Sequence, residues 1–273
     1  MPDIDDKSVT PDVMERLATG SIEVPLLPQV ASQVMAICND PDCEVRDLME
    51  TIKKDQALMA HVMRMANSAL YAPDVPIVSL QLAVNRLGLA TVRDLAVAAA
   101  CRGAVFHSSN ARKLVNSLFK RAMARAVFAQ EVARLRRSNV EVAFLAGMMA
   151  EIGAPVIAHE VEKSGGSVAD IPGLIEEYHQ AVSVIVLEAW GMPEKIVESV
   201  RHSHDPEQAG QLSDLIFTVR LADFFAERIL DQGSGEPTTV LDDCCIALNL
   251  FADDVDRLTD RGEDILAMVG ALG

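Results

Sequence analysis

Histidines and their acidic neighbours are the residues of this sequence that could do chemistry near neutral pH. The chain has six histidines, and only His179, His202 and His204 lie near one another and near acidic residues. On a continuous helix the imidazoles of His202 and His204 would point about 200° apart. They could bind one metal ion only if the helix ended there, and Pro206 predicts such an end. The segment 202–205 therefore indicates a metal site or, as we favour, a polar helix end.

Cysteines are a second source of chemistry, but their pattern does not favour a disulfide framework or a thiol zinc site. Their number is odd and no CxxC pair occurs, so a reducing compartment is expected. Two adjacent cysteines near the C-terminus could form a redox switch, although we favour ordinary core positions on a helix. The five are Cys38, Cys43, Cys101, Cys244 and Cys245.

The charge of the chain limits its partners. A net charge of -16 argues against attraction of the whole surface to nucleic acid or anionic lipid. Residues 231–273 hold ten acidic residues against two arginines, whereas residues 112–137 hold eight Lys or Arg against one acidic residue. The basic segment could dock an acidic partner, a nucleotide or a nucleic acid, but a solvated helix face is favoured.

Helices are the elements expected to position these groups. Pro11 predicts a helix start and Gly20 its stop, and residues 21–28 should be extended because Pro25 and Pro28 exclude a helix. Apolar residues then recur at helical spacing, with Asp55 and Ser79 as predicted caps. Further helices are predicted from Thr91, over 110–137, and around 140–151, 172–190, 193–203, 212–230 and 239–251.

No long period-two alternation occurs, so the predicted fold class is all-α. No uninterrupted apolar run approaches the roughly 18 residues that cross a bilayer. The start of the chain, MPDIDDKS, is acidic and unlike a signal peptide. We therefore expect a soluble, cytoplasmic protein with no membrane insertion.

Several motifs together resemble the HDOD domain, a relative of the HD-domain phosphohydrolases. They are the Leu-Pro start of the segment, the Asn-Asp-Pro turn at 39–41, Lys54-Asp55, Ala-Asn-Ser at 66–68 and Arg-Leu-Gly at 86–88. The resemblance continues through 143–153, 175–207 and 219–225, and covers roughly residues 20–230. It implies a two-lobed helical fold: an N-terminal helix (1–20), an HDOD domain (21–230) with lobes 21–108 and 109–230, and an acidic helical extension (231–273).

The resemblance also implies a damaged metal site. Active relatives bind a divalent ion with a His-Asp pair and further histidines. The positions of the pair are taken here by Ala150 and Glu151. An earlier histidine position is taken by Arg121 and a later one by Ser203. Only His179, His204 and Asp223 match ligand positions, and we expect them to form hydrogen bonds and no catalytic or metal site. No cofactor is expected.

Three further positions, Arg64, Asn67 and Ser68, are predicted to lie at the lobe junction. A structural role is favoured for them over ligand binding, because an Asn side chain can bond to backbone across an interface or close its own helix end. We expect the partner surface of the protein near this junction.

The function implied is a non-catalytic, regulatory module of bacterial signal transduction that acts through protein–protein interaction. Expected partners are signalling proteins such as a kinase, a response regulator or a cyclic-dinucleotide enzyme, and a homodimer is left open. Relatives often carry receiver, cyclase or kinase domains; we see none, so the input should come from another chain or a small ligand. The alternatives are a metal-dependent phosphohydrolase or phosphodiesterase with a degenerate HD site, and nucleotide or nucleic-acid binding through residues 112–137.

Overall fold

The structure is a computed structural model that describes residues 11–26, 32–34, 37, 45–68, 70–71, 75–105, 111–230 and 238–270. These residues are largely helical and contain no β-strand, which confirms the all-α prediction. Among the described residues, helix α1 (Pro11–Thr19) and the helical residues 32–34 and 37 precede α2 (Val45–Lys53), α3 (Gln56–Ala66), α4 (Leu80–Leu87) and α5 (Leu89–Val105) of the first lobe. The helix predicted from Thr91 thus begins two residues earlier, and the predicted lobe boundary at 108/109 lies outside the described residues.

The second lobe is built around its longest helix. Its helices are α6 (Arg112–Arg136), α7 (Val140–Met149), α8 (Gly153–Lys163), α9 (Ile171–Ala189), α10 (Glu194–Arg201) and α11 (Ser213–Leu230). Helix α6 packs against α7 and α11, and α8 packs against α9. Within the described residues, one stretch, Val140–Lys163, is long and apolar enough to cross a membrane, and 67% of its most apolar window is buried inside the protein. It is core.

Side-chain caps begin several of these helices, as the sequence predicts. Asp55 Oδ1 accepts a hydrogen bond from Leu58 N–H at 3.0 Å, and Ser79 Oγ accepts one from Leu82 N–H at 3.1 Å. Such bonds satisfy N–H groups that the first turn of a helix leaves without partners.

Two glycines bring helices of the second lobe unusually close together. A Cβ at Gly147 would lie 2.9 Å from Cα of Ala126, and one at Gly153 would lie 2.6 Å from the backbone nitrogen of Ser183. Any larger residue would therefore push α7 from α6, or α8 from α9. Glu151 lies in the turn between these glycines and is held close to α6.

The N-terminal segment contacts the second lobe. Helix α1 packs against α8 and α9, where Arg16 pairs with the buried Glu160 at 2.7 Å. Residues 21–26 are non-helical, as predicted, and Trp190 Nε1 donates to the carbonyl of Pro25 at 2.9 Å. Residues 11–26 therefore pack against the second lobe, although the first lobe follows them directly in sequence.

The lobes meet where α5 packs against α7 and approaches α6. Gln130 Nε2 of α6 donates to Asp94 Oδ2 of α5 at 2.7 Å, and both side chains are buried. The guanidinium of Arg102 lies 4.9 Å from the ring centroid of Phe119, a cation–π contact. The junction thus buries specific polar contacts as well as apolar ones.

The described residues of the C-terminal extension form three helices, in keeping with a helical extension. They are α12 (Thr238–Leu248), α13 (Ala252–Asp260) and α14 (Gly262–Gly270). Helix α12 packs against α11, and α13 and α14 pack against α6. The predicted helix at 239–251 ends early because Asn249 takes a left-handed conformation with φ of 52°.

Candidate functional site

A buried arginine forms the centre of the region where active HD relatives would bind metal. Arg125 is only 1% exposed. Its Nε donates to the carbonyl of Gly147 at 2.8 Å, a contact that the close approach of α7 to α6 allows. Its Nη1 lies 2.9 Å from Asp223 Oδ1 and 2.8 Å from Glu151 Oε2. One guanidinium therefore joins α6, α7, α11 and the turn that carries Glu151.

Arg121, one turn earlier on α6, completes the cluster. It binds Asp223 in a bidentate manner, with Nε at 3.2 Å and Nη2 at 2.7 Å from the two carboxylate oxygens. Its Nη2 also lies 2.5 Å from Glu227 Oε1, and its Nε lies 3.7 Å from Glu151 Oε2. Two fixed positive charges thus face three carboxylates, and we call these five residues the guanidinium cluster.

The cluster controls the protonation of its members. Burial alone would raise the pKa of Asp223, but the charges and hydrogen bonds of Arg125 and Arg121 lower it. Burial would lower the pKa of Arg121, whereas Asp223, Glu151 and Glu227 raise it. The cluster therefore favours the ionised form of Asp223 and the charged form of Arg121.

The predicted histidines lie beside this cluster. The rings of His179 and His204 are 6.0 Å apart between centroids, in an edge-to-face arrangement. Burial is the main cause that lowers the pKa of His179, with His204 and Arg125 acting in the same direction against Glu151 and Asp223. His179 is thus neutral at pH 7, and its buried Nδ1 has no hydrogen-bond partner among the described residues.

The helix ends before His204, as predicted, but His202 and His204 still diverge. Helix α10 ends at Arg201 and His202 is its cap residue, with Nε2 3.5 Å from Glu198 Oε2 of the same helix. His204 instead faces His179. The structure therefore does not bring the two neighbouring imidazoles onto one point.

Ala150 and Ser203, which replace two ligands of the active relatives, line a small apolar cavity of about 30 Å³. Ser203 Oγ accepts a hydrogen bond from Gln180 Nε2 at 3.0 Å. The same amide donates to the carbonyls of Val200 and Arg201 at 3.1 and 3.0 Å. Ser203 therefore helps to hold the end of α10.

These residues do not fit a divalent cation. In the described part of the chain, no group of three or more His, Cys, Asp or Glu side chains is arranged to hold one. Asp223, the acidic residue among the three matched ligand positions, already accepts three hydrogen bonds from Arg121 and Arg125. An added dication would also lie beside two guanidinium charges, which repel it.

The three positions assigned to the lobe junction make different contacts. Asn67 Nδ2 donates to the carbonyls of Met63 and Ile77 at 2.8 and 2.9 Å, and its Oδ1 accepts from Ile77 N–H at 2.8 Å. The Asn67 side chain therefore caps the C-terminal end of α3 and fixes the backbone of Ile77, which also belongs to the first lobe. Ser68 is buried. Arg64 is exposed. The pKa of Arg102 at the junction is lowered mainly by the burial of Arg102 and, to a smaller extent, by the positive charge of Arg64.

Half of the cations in the basic segment 112–137 are committed to contacts within the chain. Arg121 and Arg125 belong to the guanidinium cluster. Arg134 pairs with Glu131, and Arg136 lies 2.9 Å from Asp214. Half of its eight cations are thus neutralised, which lowers the positive field that polyanion binding requires.

The sequence reasoning missed Arg125 and Glu227. Each follows a named residue, Arg121 or Asp223, by four positions, and such residues lie on the same helix face. That spacing was the signal that could have identified them.

Comparisons with known proteins identify the family and the fold. The HDOD domain family model matches residues 24–206, which confirms the resemblance. An uncharacterized protein of Treponema pallidum (strain Nichols) is 20% identical over 215 residues, 73% of this chain and 41% of that protein. The chain therefore spans less than half the length of this curated relative.

Solved structures share the fold along almost the whole chain. An HDOD domain protein of unknown function from Geobacter sulfurreducens matches with a TM-score of 0.73 at 21% identity, covering 96% of this chain and 97% of that one. A protein of Shewanella amazonensis SB2B, provisionally named a metal-dependent phosphohydrolase, has a TM-score of 0.72 at 23% identity, with coverages of 94% and 96%. A provisionally named signal transduction protein of Marinobacter aquaeolei VT8 has a TM-score of 0.66 at 24% identity, with coverages of 96% and 64%. At such identities the likeness concerns the fold alone.

Proposed function

We propose that this chain, which belongs to the HDOD domain family, is a non-catalytic regulatory module of bacterial signal transduction that acts in the cytoplasm through protein–protein contacts. The observation that carries the proposal is the guanidinium cluster. Arg125 and Arg121 supply fixed positive charge in the region where an active HD enzyme needs an exchangeable metal with bound water.

A guanidinium can replace a metal as a structural charge but not as a catalyst. It neutralises carboxylates and joins helices, as a bound ion would. It does not coordinate water, so it cannot lower the pKa of a water molecule to near neutrality in the way a divalent ion does. The cluster therefore keeps the helices of the second lobe together while removing the source of the nucleophile.

Three features support a role in contacts between proteins. The fold is shared with a provisionally named signal transduction protein, half of the basic residues in segment 112–137 are used internally, and the chain carries a strongly acidic C-terminal extension. A kinase, a response regulator or a cyclic-dinucleotide enzyme is the class of partner that this proposal names. It leaves the metal-dependent hydrolase as the rival to be tested.

Metal analysis combined with phosphoesterase assays separates the two functions. The protein is purified without chelators, its transition metals are quantified by mass spectrometry, and turnover of bis-p-nitrophenyl phosphate, nucleotides and cyclic dinucleotides is measured with added Mn²⁺ or Mg²⁺. We expect less than a tenth of an equivalent of metal and no turnover above the buffer rate, because two guanidinium groups occupy the cation region.

His204→Ala and His202→Ala form a matched pair for this experiment. Only His204 faces His179 and the cluster, whereas His202 faces Glu198. One equivalent of metal, together with turnover that His204→Ala abolishes and His202→Ala preserves, would overturn the proposal.

A further inference from the structure

The C-terminal extension exposes large apolar side chains that its own packing does not use. Helix α12 buries Cys244 and Leu248, yet Ile246 between them is 79% exposed. Phe251, at the start of α13, is 67% exposed. Exposed apolar residues are common singly, but two that are five positions apart in sequence, on neighbouring elements of the extension, mark a surface that a partner could cover.

Ile246 also lines a cleft between α12 and the segment that follows α10. The cleft has a volume of about 470 Å³. Its apolar wall consists of Pro206, Phe217, Ile246 and Ala247, and three carboxylates, Asp205, Glu207 and Asp243, lie around it with His204 and Arg220. A cleft of this size accepts one or two apolar side chains, and its charged lining is predominantly negative.

Carboxylates extend this negative field beyond the cleft. Asp242, Asp253 and Asp256 are all exposed on α12 and α13. The two arginines of the extension are paired within the chain: Arg257 lies 3.7 Å from Asp254, and Arg261 lies 3.0 Å from Asp264 and 3.7 Å from Glu131. They therefore do not neutralise the field around the cleft.

We infer that this cleft, with Ile246 and Phe251, is a docking surface for a basic amphipathic segment of a separate protein. An apolar residue of that segment enters the cleft beside Ile246, and flanking Lys or Arg side chains face Asp205, Glu207 and Asp243. The inference rests on the proposed function, because it names the surface and the chemistry through which the module contacts its partner.

Charge complementarity favours a basic segment over a second copy of the chain, a nucleic acid or an anionic lipid. A symmetric contact between two copies would place the same acidic patch against itself, which costs free energy through like-charge repulsion. Nucleic acids and anionic lipids carry the sign that the patch repels. A basic segment gains from both the apolar cleft and the field, which also steers its approach.

Two synthetic peptides of equal charge provide the test. The first is a fluorescein-labelled 14-residue peptide of Lys and Leu with Leu at helical spacing, and the second has Ser in place of every Leu. We expect the Leu peptide to bind at least tenfold more tightly in fluorescence anisotropy, because burying one large apolar side chain is worth roughly a factor of ten or more.

Surface variants locate the binding. Ile246→Ser and Asp243→Asn should each weaken the Leu peptide, Ile246→Ser by about tenfold, while Val78→Ser, at an 80% exposed position of the first lobe, should leave it unchanged. All three positions are exposed, and an unchanged thermal unfolding midpoint confirms that each variant folds. Equal binding of the two peptides, or binding that Ile246→Ser does not weaken, would overturn the inference as unspecific charge attraction.

Sedimentation of the protein without peptide tests whether a second copy of the chain covers the cleft. We expect no effect of Ile246→Ser on the sedimentation coefficient; a wild-type dimer that this variant dissociates would replace the heterologous partner with a homodimer and so overturn the inference. None of these outcomes depends on metal content or turnover, so failure here is distinguishable from failure of the proposed function.

Discussion

Two carboxyl groups, the buried Asp94 and the half-buried Asp223, lie near opposite faces of α6 and differ in their protonation. Asp223 contacts Arg125, and Asp94 contacts Gln130, five residues later and therefore roughly 140° around the helix. Both groups lose most of their contact with water, yet the pKa of Asp223 is lowered, whereas that of Asp94 is raised to about 8. Burial alone therefore does not decide the charge of a carboxyl group.

The difference lies in the cations that reach each group. Asp223 receives hydrogen bonds from two guanidinium groups. Asp94 is raised mainly by burial, with Glu141 acting in the same direction, and Arg93 only partly opposes them. Arg93 Nε lies 3.8 Å from Asp94, and its Nη2 pairs with Glu141. A neutral amide and one arginine that also pairs with Glu141 hold a protonated acid at the lobe junction. Two arginines, which also pair with Glu151 and Glu227, hold Asp223 as a carboxylate.

Asp94→Asn tests the first half of this comparison through pH. Asp94 is protonated in the folded chain below about pH 8, but in the unfolded chain it ionises near pH 4. Unfolding then releases a proton, so wild-type stability falls as pH rises between these values. Asn stays neutral and still accepts from Gln130. Relative to wild type, the variant should gain about 4 kcal/mol between pH 5 and pH 8, at about 1.4 kcal/mol per pH unit.

Urea unfolding at pH 5, 6, 7 and 8 measures this gain, with the exposed Asp260→Asn as control. The control should keep the wild-type pH dependence. Parallel curves for Asp94→Asn and wild type would mean that Asp94 is already ionised at the junction, and the contrast with Asp223 would disappear.

Arg125→Met tests the second half. Methionine fills most of the arginine volume but leaves Glu151 and Asp223 with one guanidinium fewer in a buried place. Removing one partner of a buried ion pair costs about 3 to 5 kcal/mol, and we expect about 3 kcal/mol because Arg121 still contacts Asp223. The loss in free energy of unfolding is measured with urea at pH 7.

Arg134→Met is the matched control, because Arg134 lies on the same helix at an exposed position and pairs with Glu131. It should change stability by less than about 0.5 kcal/mol. A similar cost for both variants would show that Arg125 contributes through helix packing and not through the buried charges.

Much of the fold could be predicted because its signals are local. Ser79, Asn139 and Asp55 cap helices with their own side chains, so sequence alone identifies those starts. Helix α8 escaped prediction because Gly153 and Pro155 indicate a break, although proline fits a first turn. A glycine is needed at 153 because α8 lies very close to α9 there. No local sequence pattern indicates this requirement.

The site was predictable only in part for a related reason. Resemblance to an enzyme family identified the positions where ligands were lost, including Arg121. The role of Arg125 depends on which face of α6 meets α7 and α11, and composition instead grouped it with Arg134 and Arg136 as one basic segment. Tertiary packing separates a buried cation from its exposed neighbours.

Arg121→Met gives the smallest effect and sharpens the division of labour inside the guanidinium cluster. The Arg121 side chain is 30% exposed, so water replaces part of what the substitution removes, and Arg125 still neutralises Asp223 and Glu151. We expect a loss of about 1 kcal/mol in urea unfolding at pH 7. The double variant should lose more free energy of unfolding than the sum of the two single losses, because each arginine partly compensates for loss of the other at Asp223. A double variant that loses only the sum of the two would show that the arginines act independently, and the cluster would then be two ion pairs and not one unit.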